Sequence, residues 1–193
     1  MDNLVAKHNP LEDVENFLIN KLNENSPKLL SYFEDNKDEI LNDFLAHFIP
    51  LCEKTSWQQE VGIKAPIACV HIGFLRSSLL TKSYEFRIGL HDEKFWMDNE
   101  DSSVYWKADF FFQYVEPDID EVRKILKPYP HLPEAEVYEV GYRYAQCYLI
   151  PVTQKIMQNI MIEVFQRANF GKLNVDKNLS IVFGGYMEEG ESI

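Results

Sequence analysis

The chain has 193 residues, with 19 basic against 31 acidic side chains and a formal charge of −12. Hydrophobic residues make up 46% and charged residues 26%, which excludes intrinsic disorder and leaves enough apolar mass for a core without staples. So acidic a surface repels nucleic-acid phosphates and anionic membranes, and no basic run compensates, so neither is expected as a partner.

Cys52, Cys69 and Cys147 are odd in number, far apart and set among apolar neighbours, as reduced thiols of a cytoplasmic protein would be. The first residues show no long apolar stretch behind a basic start, so no signal peptide is expected. No window approaches the uncharged apolar length of a membrane span.

Asn9-Pro10 is a helix start signal, and Leu11, Val14, Leu18 and Leu22 follow at helical spacing. Asn23 to Asn25 reads as a stop and Ser26-Pro27 as a second start. Leu29, Leu30, Phe33, Ile40, Leu41, Phe44, Leu45 and Phe48 continue the period, with a break expected at Asp35-Asn36 and an end or kink at Pro50. Residues 1–60 therefore form a helical unit.

The pattern changes after Gly62. Ala65 to Leu75 is a compact apolar run, expected as a strand. Leu79 to Lys82 connects it to Tyr84–His91, where apolar and polar residues alternate without a miss. On a strand this places Tyr84, Phe86, Ile88 and Leu90 on one face, and Glu85, Arg87, Gly89 and His91 on the other. The two runs are expected to pair antiparallel, with Phe95-Trp96-Met97 as a short edge piece. Val104 to Val115 fits a helix or a strand, and Pro117-Asp118 starts a short helix through Leu126.

Three prolines between Pro128 and Pro133 require a loop. From Val137 to Val164 apolar residues keep a helical period, which predicts one long helix kinked at Pro151. Leu179 to Met187 reads as a final strand that returns to the central hairpin, with a bulge or close approach at Gly184-Gly185 and a loose tail over Glu188 to Glu191. The sum is a single α+β domain over residues 1–193, divided into the helical unit at 1–60 and a sheet plus helices at 61–193. It is mostly helical, with a small antiparallel sheet of three to four strands and a long kinked helix near the C-terminus.

Two constellations carry functional expectations. Trp96, Tyr105 and Trp106 sit in a crowd of rings with acidic neighbours, as in a protein-interaction surface. The leading expectation is therefore a non-catalytic binding or interaction module, with a protein partner or self-association through those residues. The alternative is a binding protein or enzyme for a small anionic ligand, built on Arg76, Ser78, Glu85, Arg87 and His91. An arginine fork holds a carboxylate or phosphate, and histidine titrates near neutral pH. The competing reading is an exposed Glu85–Arg87 pair contributing about 0–1 kcal/mol.

Cys69-Val70-His71 puts a thiol and an imidazole on one strand face, with His47 and Cys52 in the helical unit. The close ligand pairs of a zinc site and the oxygen spacing of a calcium loop are both missing, so no metal is expected. No nucleophile elbow, P-loop or dinucleotide fingerprint occurs, and no cofactor is implied.

Overall fold

The computed structural model describes residues 10–97, 101–128, 139–140, 142–144, 152–167, 172–186 and 190–192. Two long helices open the fold, α1 (Pro10–Asp35) and α2 (Lys37–Glu60). The break falls at Asn36, where the sequence placed it, and the Asn36 side-chain amide donates to the Tyr32 carbonyl at 2.8 Å.

The expected stop and restart at Asn23–Pro27 is overturned, because α1 runs straight through it. Proline lacks the N–H that would bond one turn back, but Ser26 Oγ donates to the Leu22 carbonyl at 2.6 Å in that same turn. Asn25, which read as a stop, is buried and donates from Nδ2 to Asp118 Oδ2 at 3.0 Å. Tertiary anchoring overrides the local signal. Pro50 likewise lies inside α2, which continues to Glu60.

Gln59 then ties the helical unit to the sheet. Its Nε2 donates to the carbonyls of Ala65 and Asn174 at 3.0 and 2.8 Å, and its Oε1 accepts the Asn174 N–H at 2.8 Å. The remaining elements are β1 (Ile67–Phe74), α3 (Arg76–Thr81), β2 (Glu85–His91), a 3-10 turn at Phe95–Met97 and β3 (Ser103–Lys107). They are followed by α4 (Asp109–Phe112), α5 (Val115–Leu126), α6 (Gln154–Arg167), β4 (Val175–Gly185) and β5 (Gly190–Ser192).

The architecture is mixed α+β. The sheet has five strands in the order β3-β2-β1-β4-β5. β1 pairs antiparallel with β2, as the sequence predicts, and β2 also pairs antiparallel with β3, from the stretch that fits either a helix or a strand. The returning strand β4 does lie beside β1 but runs parallel to it, so the sheet is mixed and not the expected antiparallel one. A parallel neighbour needs a crossover, and the helices between β3 and β4 supply it.

Four smaller expectations also change. Leu79–Thr81 belongs to helix α3, and Phe95–Met97 is a 3-10 turn and no edge strand. The expected tail reaches into β5, where Glu191 pairs with Phe183. Residues 139–140 and 142–144 are helical and α6 follows Val152, but Pro151 lies outside the described residues and one continuous kinked helix is not confirmed.

The core forms on one face of the sheet. Val70, Ile72, Phe86, Ile88, Trp106 and Phe183 are buried there with residues of α1, α2 and α6. Phe86 lies among Trp106, Phe111, Phe112 and Phe183 at ring separations of 5.5–6.0 Å. Trp106 stands edge-on to Phe44 at 5.0 Å and donates from Nε1 to Asp43 Oδ2 at 2.7 Å. Among the described residues no helix is long and apolar enough to cross a membrane.

Because Pro27 is exposed and sits inside an unbroken helix, Pro27→Ala restores a backbone donor without disturbing packing. The expected outcome is a stability gain of about 1–3 kcal/mol in urea unfolding. Two separate helices meeting at this point would give no gain.

Candidate functional site

The face of the sheet opposite the core carries the chemistry. β1 contributes Cys69, His71 and Gly73, and β2 contributes His91, Gly89 and Arg87, in the register Cys69–His91, His71–Gly89 and Gly73–Arg87. Each glycine stands across from a bulky polar residue. Each also makes room on its own strand.

A Cβ on Gly73 would lie 2.4 Å from His71 Cε1. A Cβ on Gly89 would lie 2.5 Å from His91 Nε2 and 3.2 Å from Arg87 Nη1. In this antiparallel register both imidazoles lean the same way along the sheet, toward the level of Arg87. The guanidinium leans back to meet His91 above Gly89.

The cluster is roofed by aromatic rings. Phe95 lies 5.0 Å from His91 and 6.0 Å from His71, and Tyr186 lies 6.5 Å from His71. The two imidazoles are 6.3 Å apart. Phe95 holds its position with φ of +51°, a left-handed conformation costly for a bulky side chain. His71 is 1% and His91 7% exposed.

Arg87 stacks over the Tyr186 ring with Cζ at 5.1 Å and donates from Nη2 to Asp101 Oδ1 at 2.9 Å. Its Nη1 is buried and meets no hydrogen-bond acceptor among the described residues.

Electrostatics follow from this packing. Burial, then the neighbouring His91 and Arg87, push His71 down to about 4, so its imidazole is neutral at physiological pH. Burial works to raise the Asp101 carboxyl, but the Ser103 hydroxyl and the charges of Arg87 and Lys54 outweigh it and hold the group below its usual range. Burial raises the Cys69 thiol, more than the Ser180 hydroxyl lowers it.

The residues singled out from sequence separate. Arg87 and His91 share this cluster. Glu85 lies on the same face at the far end of β2, half-buried and opposite Lys107. Arg76 turns away to pair with Glu139 and stack on Tyr142 at 4.4 Å. Ser78 is spent locally, donating to the Leu75 carbonyl at 2.7 Å.

The interaction surface expected at Trp106 is corrected, since Trp106 is 1% exposed and belongs to the core. Strand alternation turns Tyr105 outward, and it is 51% exposed. The Trp96 side chain lies outside the described residues.

His71, Phe95, Asp101 and Tyr186 were not assigned to this site from sequence. His71 had a signal: Cys69, His71 and Gly73 alternate with Val70, Ile72 and Phe74, but the small residues hide the period inside an apolar run. Phe95, Asp101 and Tyr186 arrive through loops and a distant strand that local pattern does not place.

Among the described residues no group of three His, Cys, Asp or Glu side chains could hold a metal ion. A separate groove of about 250 Å³ lies between α1 and residues 140–144, lined by Leu18, Ile19, Leu22 and Val140 with Glu15, Arg143 and Tyr144. Its lining is mostly apolar, and it contains none of the residues of the imidazole cluster. The chain matches no protein-family model, and no curated protein or solved structure is significantly similar to it.

Two outcomes follow from the packing. Gly89→Ala forces the His91 ring and Arg87 off their seats, with an expected loss of about 1–3 kcal/mol in urea unfolding. A loss near zero would show the rings to be loosely held.

The second is pH dependence. An unfolded His71 takes up a proton near 6.5, while the folded one resists to about 4. Its stabilising contribution is complete above pH 6.5 and is lost as pH falls toward 4, by about 3 kcal/mol in all. Asp118 acts in the opposite sense, because burial raises its carboxyl pKa and acid favours the fold there. His71→Gln should flatten the acid limb of a Tm-versus-pH curve, and an unchanged limb would remove the assignment.

Proposed function

We propose that the polar face of the sheet binds a small molecule carrying an oxyanion, a carboxylate or a phosphate, between Arg87 and His91. The observation that supports it is Arg87 Nη1, a buried charged donor with no acceptor among the described residues. Leaving such a group unsatisfied costs on the order of 1–3 kcal/mol or more, which an incoming anion would offset.

Arg87 Nη2 is engaged by Asp101, so Nη1, with its two N–H groups held in the plane of the guanidinium, is the nitrogen that would face a ligand. His91 Nε2 lies beside it above Gly89, and a neutral imidazole can donate one N–H. A charge-assisted hydrogen bond from the guanidinium would supply most of the attraction. The surrounding negative surface disfavours an extended anionic polymer and leaves a compact ligand that reaches the Arg87 donor directly. The interaction-module reading has lost its central ring, Trp106, to the core.

The test is a thermal shift with sodium sulfate, phosphate and succinate against sodium chloride at equal ionic strength. At about a hundredfold excess over Kd, binding should raise Tm by roughly 5 °C or more. Sulfate and phosphate also stabilise proteins generally by exclusion from the surface, and Arg87→Gln separates the two effects. The rise beyond that of Arg87→Gln is specific, and Arg76→Gln should keep it. An equal rise in wild type and Arg87→Gln would overturn the reading.

A further inference from the structure

The charges on this face do not balance once an anion enters. The positive charge of Arg87 is already matched by Asp101 across a 2.9 Å ion pair. Asp101 is largely exposed, so the pair lies at the rim, and a dianion seated against the buried Nη1 would bring more negative charge into the enclosure than the guanidinium alone offsets, which is costly unless a compensating charge enters with it. Two imidazoles stand within the same enclosure, 6.3 Å apart. A neutral imidazole can accept one proton at its unprotonated ring nitrogen.

We propose, on the basis of the anion-binding reading above, that the anion and a proton bind together, with one proton taken up by the His71–His91 pair for each anion bound.

Among the described residues, further titratable groups stand near the pair, with the buried Asp92 next after His91 in the chain. On β1, Cys69 shares the face, and its thiol is held neutral by burial. On β2 stand the Arg87 guanidinium, paired with Asp101, and Glu85 at the far end of the strand. Ahead of β3, the Asp101 carboxyl is kept ionised by Ser103, Arg87 and Lys54 and does not protonate in the neutral range. The β4 side contributes the Tyr186 ring, 6.5 Å from His71. Phe95 and Tyr186 pack beside the two buried imidazoles, so a charge on either ring is only weakly screened.

In the unliganded protein, burial, the second imidazole and the guanidinium all oppose a proton on His71. A bound anion reverses the sign of the local field. The second proton remains opposed by the first across the same short distance, which sets the number at one.

Linkage then fixes the pH dependence. Affinity rises as pH falls, by up to about tenfold per pH unit, until the unliganded pair also protonates. Sulfate is the suitable probe, because it keeps its charge through this range and carries no titration of its own.

The experiment is isothermal titration of the intact chain with sodium sulfate at constant ionic strength, from about pH 7.5 to about pH 5.5. It is run in two buffers of different ionisation enthalpy. The expected result is a 10–100-fold gain in affinity across the range, with a buffer-dependent heat equal to about one proton per sulfate. An NMR titration of the imidazole Cε1–H signals, assigned through His71→Gln and His91→Gln, should show one of the two rings protonating at higher pH when sulfate is present.

Three results would overturn the proposal. Binding of equal strength at every pH, with no buffer-dependent heat, removes the proton coupling and leaves the anion site standing. Proton uptake without movement of either imidazole signal places the proton elsewhere. No sulfate binding at any pH removes the anion site itself, and the coupling with it. The wild-type calorimetry decides the first and third without any variant, so a misfolded histidine substitution does not obscure the answer.

Discussion

The whole arrangement depends on β1 being enclosed on both edges and both faces. It pairs with β2 on one side and β4 on the other, and every residue from Cys69 to Phe74 is buried. A strand in that position normally reads as uniformly apolar. Here alternate residues of the strand are Cys, His and Gly, so a polar layer lies buried along β1 and meets the half-buried Arg87 at its edge. The core face follows ordinary packing, with Val70, Ile72 and Phe74 against the helices. The opposite face accommodates two imidazoles and a guanidinium, and it does so only because glycines lie next to them.

Gly73 and Gly89 are therefore part of the site's geometry and serve as more than flexible positions. The rings of His71 and His91 lie where side chains of these residues would project. Flattened against the backbone, they leave height for Phe95 and Tyr186 to close over them. The closure lowers the local dielectric, which makes a charge on His71 costly and strengthens any interaction made with Arg87. The same enclosure underlies both the anion site and the proton coupling proposed above.

Much of this was legible in the sequence where the information is local. The strict period from Glu85 to His91 gave the strand and its two faces, and with them the shared orientation of Arg87 and His91. Tyr84 fits the alternation but has φ of +52° and lies just outside the strand. Helical spacing found α1 and α2, yet the Asn23–Pro27 signals misled, because a hydrogen bond from Asn25 to the distant Asp118 decides that stretch. Crowded aromatics suggested a surface at Trp106, whereas β3 alternation puts it inside beside Phe44. Asp101, Phe95 and Tyr186 come to the site from segments whose position is fixed by pairing and turns, and no short pattern encodes that.

The parallel pairing of β1 with β4 has a consequence for how the chain reaches this state. About a hundred residues separate the two strands, so their contact closes a very long loop, a kind of event that slows folding. During synthesis, β1 and β2 emerge early as a hairpin whose inner edge has no partner. That edge stays open until the ribosome has delivered residues 175–185. Through that interval the apolar strand β1 presents unpaired amides along one edge, the arrangement most prone to mispairing with another strand.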